Sequence, residues 1–147
     1  MGGSGQVRDG SYRLRNVATG LLLEVPGGST RSGAKVVVAA ADGADAQVWR
    51  ISAVHAGAGL YHLENAASGK RLDVAGARTE DGVLLQQWAP NAFGAQEWVF
   101  EQHVEAPGTY TVVAFVSGRV MEAAPDGSVR QWEDRDDPAQ WWRPEAL

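Results

Sequence analysis

Asp73, Gln86, Trp88 and Asn91 place a carboxylate, an amide, an indole and a second amide on one short stretch of chain. A carboxylate accepts two hydrogen bonds from hydroxyls, and its charge strengthens them. An amide both donates and accepts. The flat face of an indole covers apolar surface while polar neighbours meet whatever is polar. Gln86 and Trp88 are two residues apart, so on a strand both face one side and Gln87 faces the other. A second set, Glu122, Arg130, Trp132 and Arg135, has an acid one methylene longer and an indole, with arginines in place of the amides. These groups are equipped to bind. No Gly-x-Ser-x-Gly elbow, phosphate loop or cysteine nucleophile accompanies them.

The elements that must position these residues are written three times. Tyr12, Tyr61 and Tyr110 are each 49 residues from the next, and a glycine follows each by eight residues: Gly20, Gly69 and Gly118. Each unit closes on Gln-x-Trp, at Gln47-Val48-Trp49, Gln96-Glu97-Trp98 and Gln140-Trp141-Trp142. A repeat of this length marks a supersecondary unit that needs its neighbours to bury a core. Within each unit, period-two alternation as in Tyr61-His62-Leu63-Glu64 predicts a half-buried strand. A turn with Asn, Ser or Thr and Gly leads to a second strand, as in Leu72-Asp73-Val74. A Gly-rich loop leads to a third, and Gln-x-Trp opens a fourth. The reading is all-β, with twelve short strands in three repeats over residues 12–51, 61–100 and 110–143, in a closed architecture that removes exposed edges. Residues 1–8 read as a flexible leader or cloning scar, and 9–147 as one domain.

Three tryptophans recur, Trp49, Trp98 and Trp142, and the expectation is core filling. Gln47, Gln96 and Gln140 are expected to satisfy buried backbone groups and to say little about a ligand. Trp88 and Trp132 do not recur: copy one has Ala39 there. A residue needed for packing is needed three times, so these two point to a surface task. Trp141 is surplus and should face away from Trp142, either as a partner contact or half covered by the chain's last residues.

Composition narrows the partners. The net charge of -5 disfavours nucleic acid and anionic membranes, both of which need concentrated Lys and Arg. No apolar run approaches the roughly 18 residues of a membrane span. With zero cysteines there is no disulfide or thiolate metal site. Glu133, Asp134, Asp136 and Asp137 lack the calcium-loop pattern, and His55, His62 and His103 have no metal-motif spacing. No metal and no cofactor are expected.

The three units, each of four strands and each ending in Gln-x-Trp, resemble the ricin-type β-trefoil lectin domain over nearly all of residues 12–143. The resemblance implies a six-stranded barrel capped by three hairpins, pseudo-threefold symmetry, and up to three sugar sites. It implies that the acid after the second-strand leucine takes ligand hydroxyls: Asp73 in copy two, with Glu24 and Glu122 at the matching positions. It further implies that Trp88 stacks on a sugar ring and that Asn91 bonds hydroxyls. Copy two then carries the full set of Asp73, Gln86, Trp88 and Asn91. Copy one has Val37, Ala39 and Asp42 at the last three positions and reads as degenerate. Copy three, with Glu122, Arg130, Trp132 and Arg135, suits an acidic sugar, another anion, or no ligand.

A non-catalytic module that binds glycans or polysaccharide mainly through copy two is the first reading. Asp73 with Glu80 or Asp81 could be drawn as a hydrolytic carboxylate pair, but that needs a defined separation across one bond. Two further readings stay open: a protein-interaction trefoil, such as a protease inhibitor or assembly scaffold, and an accessory domain of a larger secreted enzyme. The compartment also stays open. The resemblance suggests extracellular, whereas zero cysteines and the absence of a signal-like leader suggest cytoplasmic.

Overall fold

Alternating burial produces strands where the pattern predicts them, clearest in Leu60–Asn65, where every second side chain is buried. The computed structural model describes residues 6–147, and residues 1–5 of the expected leader lie outside the described residues. In chain order the strands are β1 (Gly10–Asn16), β2 (Leu22–Glu24), β3 (Val37–Ala39), β4 (Trp49–Ala53), β5 (Leu60–Asn65) and β6 (Arg71–Val74). They continue with β7 (Leu85–Trp88), β8 (Trp98–Gln102), β9 (Tyr110–Ala114), β10 (Val120–Ala123), β11 (Val129–Trp132) and β12 (Trp141–Ala146).

Six strands close on themselves. β1 pairs with β4, β4 with β5, β5 with β8, β8 with β9, β9 with β12 and β12 with β1, every pair antiparallel. The remaining six form three hairpins, β2–β3, β6–β7 and β10–β11, one per repeat. This is the β-trefoil. The seam between β1 and β12 brings the two ends of the domain together: Tyr12 faces Ala146, and Leu147 N–H donates to the Ser11 carbonyl at 3.1 Å.

The turn glycines do the same job in each repeat. Gly20, Gly69 and Gly118 sit at φ 72°, 72° and 75°, and their N–H groups donate to the carbonyls of Asn16, Asn65 and Ala114. A residue with a Cβ is strained there, which explains the repeated glycine. Trp49, Trp98 and Trp142 are completely buried in one core shared by all three repeats. Each indole N–H donates to the carbonyl just before a hairpin acid: Leu23, Leu72 and Met121. Truncating one to alanine would cost about 3–5 kcal/mol.

One expectation needs correction at the periphery. Val7, assigned to the leader, is buried in the core, and the Arg8 carbonyl accepts from the Tyr12 hydroxyl at 2.6 Å, so the packed chain starts before residue 9. Trp141 is half-buried. Its ring meets His103 edge-on at 5.0 Å, and that imidazole is within 2.8 Å of the Thr111 hydroxyl. The aromatic contact crosses from the linker to β12.

Candidate functional site

The second hairpin builds a pocket from its register. β6 and β7 pair with Asp73 opposite Gln86 and Arg71 opposite Trp88, so all four start from one face of the hairpin. Asp73 is 5% exposed, and both its oxygens accept from amides: Gln86 Nε2 at 3.1 Å and Gln96 Nε2 at 3.1 Å. A carboxylate has about four acceptor positions, so two remain for a ligand. Burial pushes the Asp73 carboxyl up from its ordinary value, and the bonds from Gln96 and Gln86 and the charge of Lys35 pull against that. Trp88 is 42% exposed at the wall, with its ring edge 3.5 Å from where a Cβ on Gly33 would sit. Asn91 turns the following loop, its Oδ1 accepting from Phe93 N–H at 3.0 Å, while its carbonyl accepts from Arg71 at 3.1 Å. Asp73, Gln86, Trp88 and Asn91 therefore line one pocket of about 310 Å³, completed by Gly76, Ala77, Phe93 and Ala95.

The glutamine of Gln-x-Trp does more than the sequence suggests. In each repeat its Nε2 donates to the hairpin acid and to a loop carbonyl, while its Oε1 accepts a backbone N–H. For Gln96 these partners are Asp73, Ala89 and Asn91. For Gln47 they are Glu24, Ala40 and Asp42. For Gln140 they are Glu122, Glu133 and Arg135. The motif read as purely structural holds the acid in place three times over.

Repeat three brings its four residues together differently. Glu122 is 1% exposed and accepts from Arg130 Nε at 2.7 Å, from Arg135 Nη2 and from Gln140. The same guanidiniums lie over Trp132, with Cζ 4.5 and 5.4 Å from the ring centroid. The adjoining cavity of about 410 Å³ is lined by Glu122, Arg130 and Arg135, with Trp132 outside its wall. Repeat one has a cavity of about 330 Å³ with Glu24 and Asp42 but no aromatic.

Sequence comparison decides the family. A family profile described as ricin-type beta-trefoil lectin domain-like matches residues 4–88, more than half the chain.

The chain belongs to that family.

No curated protein matches its sequence. Among solved structures it is similar to the designed threefold-symmetric protein ThreeFoil, at 33% identity and TM-score 0.87 over 95% of this chain and 100% of that one. It is similar to 1,3Gal43A, an exo-beta-1,3-galactanase from Clostridium thermocellum, at 28% identity and TM-score 0.86. There the match covers 94% of this chain but 30% of the enzyme. The Macrolepiota procera ricin B-like lectin, solved in complex with lactose, has the same fold at 16% identity and TM-score 0.80, over 97% and 99% of the two chains.

Sequence reasoning missed several residues of the repeat-two pocket. Phe93 is 71% exposed at the pocket rim, where the other repeats have Ala44 and Asp137. Ala77 sits at φ 53°, a left-handed backbone that alanine rarely adopts, in the pocket lining. Lys35 reaches in from repeat one, its Nζ 2.8 Å from Gln86 Oε1. The aromatic on the loop was the most findable of these, since it interrupts the repeat as Trp88 does. Glu80 and Asp81, the acids once paired with Asp73, are engaged elsewhere by Arg78 and Arg119. The acidic loop spends Asp134 and Asp137 on the N–H groups of Asp136 and Ala139. Among the described residues no group of His, Asp and Glu could hold a metal ion.

Proposed function

We propose that this trefoil is a non-catalytic carbohydrate-binding module that recognises glycan sugars mainly through repeat two. One observation carries the reading. The Asp73 carboxylate, held by two amides with acceptor positions to spare, forms a pocket with an exposed Trp88 face and the Asn91 amide. A pyranose offers adjacent hydroxyls on one edge and an apolar C–H face on the other, which this combination fits. Membership of a lectin-like family supports it, as does the same fold in a lectin solved with lactose. Asp73 is the one carboxylate lining the pocket, which supports binding over hydrolysis.

A pocket of about 310 Å³ lies at the small end of ligand sites, roughly 300–1,000 Å³, and is shallow. Affinity for one sugar should be around millimolar, about -4 kcal/mol, so avidity needs several sites or copies. The likeness to part of a galactanase favours a second context for the same activity, an accessory module that brings a larger enzyme to its polysaccharide. A glycan array probed with the parent and with Asp73→Ala tests the reading, followed by competition with free monosaccharides. Array binding that survives Asp73→Ala would overturn the repeat-two assignment, and binding that free sugars never displace would move the function to a protein-interaction surface.

A further inference from the structure

The free edge of β7 is covered by another repeat. Gly33 N–H donates to the Gln87 carbonyl at 2.8 Å, Gln87 N–H to the Ala34 carbonyl at 2.9 Å, and Val36 N–H to the Leu85 carbonyl at 3.1 Å. The segment before β3 thus runs along the site's own strand, with Lys35 and Gln86 as bridge partners. The Lys35 ammonium lies 2.8 Å from Gln86 Oε1 and 3.3 Å from the Gly33 carbonyl. An ammonium donates and never accepts, so it selects the amide orientation with Oε1 outward. The Nε2 end is then turned to Asp73 Oδ1, at 3.1 Å.

We infer that Lys35 of repeat one is a positioning residue for the repeat-two site, fixing the Gln86 amide so that its N–H end holds the Asp73 carboxylate in ligand-receiving geometry. The site is then a composite of two repeats. The other repeats receive no such cation: the corresponding bridges place Leu84 against Arg130 and Ser128 against Val37. Repeat three carries its charge internally, on Arg130 and Arg135, where it pairs with the acid directly.

The charged and polar groups around Asp73 come from four elements. Lys35 approaches from repeat one, Gln86 from β7 and Gln96 from the loop before β8; Arg71 shares the same face of β6 but bonds the Asn91 carbonyl. Lys35 is the cation that opposes the effect of burial on Asp73, so removing it leaves burial less opposed.

The inference rests on the sugar-site reading for its ligand alone, because the positioning is measurable without any ligand. Lys35 is exposed, so Lys35→Met spares the core. By NMR on ligand-free protein, K35M should raise the Asp73 carboxyl midpoint, because the cation that opposes burial is gone. It should also strip exchange protection from the Gln86 side-chain amide, and Lys35→Arg should restore both. Half-saturation on array glycans should rise about tenfold in K35M. A midpoint that moves without the Gln86 amide would reduce Lys35 to a distant charge and overturn the proposal, as would no change in either signal. If both signals move but the parent binds no glycan, the positioning stands and the sugar reading falls.

Discussion

Repeats two and three begin from the same plan, an acid on the second strand and an indole on the third, and end with opposite surfaces. Asp73 is served by neutral amides, which leave it charge to offer, and Trp88 keeps an open face. Glu122 is neutralised by two guanidiniums, which also lie over Trp132. An arginine is planar, permanently charged and suited to both carboxylates and aromatic faces. Placed where repeat two has amides, it satisfies the acid and covers the platform at once. The difference teaches that an open polar and aromatic pocket depends on what its neighbours leave unsatisfied, as much as on which groups are present.

The largest effect should come from breaking repeat two alone. Trp88→Ala removes the stacking face and should weaken glycan binding roughly 10- to 100-fold, about 1–3 kcal/mol, with little change in melting temperature. Trp132→Ala should leave binding near the parent's. Titration calorimetry of the two variants side by side measures the contrast, and equal losses would erase it.

A smaller effect should come from making repeat three resemble repeat two. Arg130→Gln with Arg135→Asn should uncover Trp132 and return acceptor capacity to Glu122, raising glycan stoichiometry above the parent's. The cost should be about 1–3 kcal/mol of stability, because Glu122 is buried and loses its charged partners. Unchanged stoichiometry in a folded double variant would mean that loop geometry, rather than the guanidiniums, closes repeat three.

Acidification should separate binding from folding. Burial raises the Asp73 carboxyl, so it takes up its proton at a pH above the ordinary carboxylate value of roughly 3.9. Glycan binding should fall as the pH drops through that raised value. Its contribution to stability has the opposite sign: between the two values the folded form holds more proton than the unfolded, so this contribution falls as pH rises. Binding and far-UV circular dichroism followed over one acid titration should therefore part company, with binding lost first. Simultaneous loss would assign the midpoint to unfolding.

The smallest effect should be at a pair that does not line the repeat-two pocket. Arg15 Nε lies 2.8 Å from Glu145 Oε2 across the β1–β12 seam, and both side chains are more than a third exposed. Arg15→Ala should cost at most about 1 kcal/mol by chemical denaturation and leave glycan binding untouched.

Much of the comparison was already legible in the chain. The alternating strands, the recurrent core tryptophans and the break in recurrence at Trp88 follow from side-chain period and from repetition, both local properties. Asp73, Gln86, Trp88 and Asn91 were legible as a set because one hairpin and its exit loop carry all four. Lys35 was not, since its partner lies 51 residues on and only the packing of one repeat's loop on the next strand joins them. The arginines of repeat three were visible as residues, but their stacking on Trp132 is a tertiary choice. Gln96 was misjudged for a related reason: an amide has enough donors and acceptors to brace a loop and hold an acid together, and spacing reveals one role at a time.

The β1–β12 seam has a consequence for how such a module travels. Because Tyr12 lies opposite Ala146, the strand that enters the barrel and the strand that leaves it share one doorway. A host polypeptide that joins beside this doorway, keeping the residues from Val7 that the core needs, would have its own path little diverted. The repeat-two pocket belongs to a hairpin rather than to this seam, so such grafting should leave it free. The ring that abolishes loose edges thereby also makes the barrel a portable attachment.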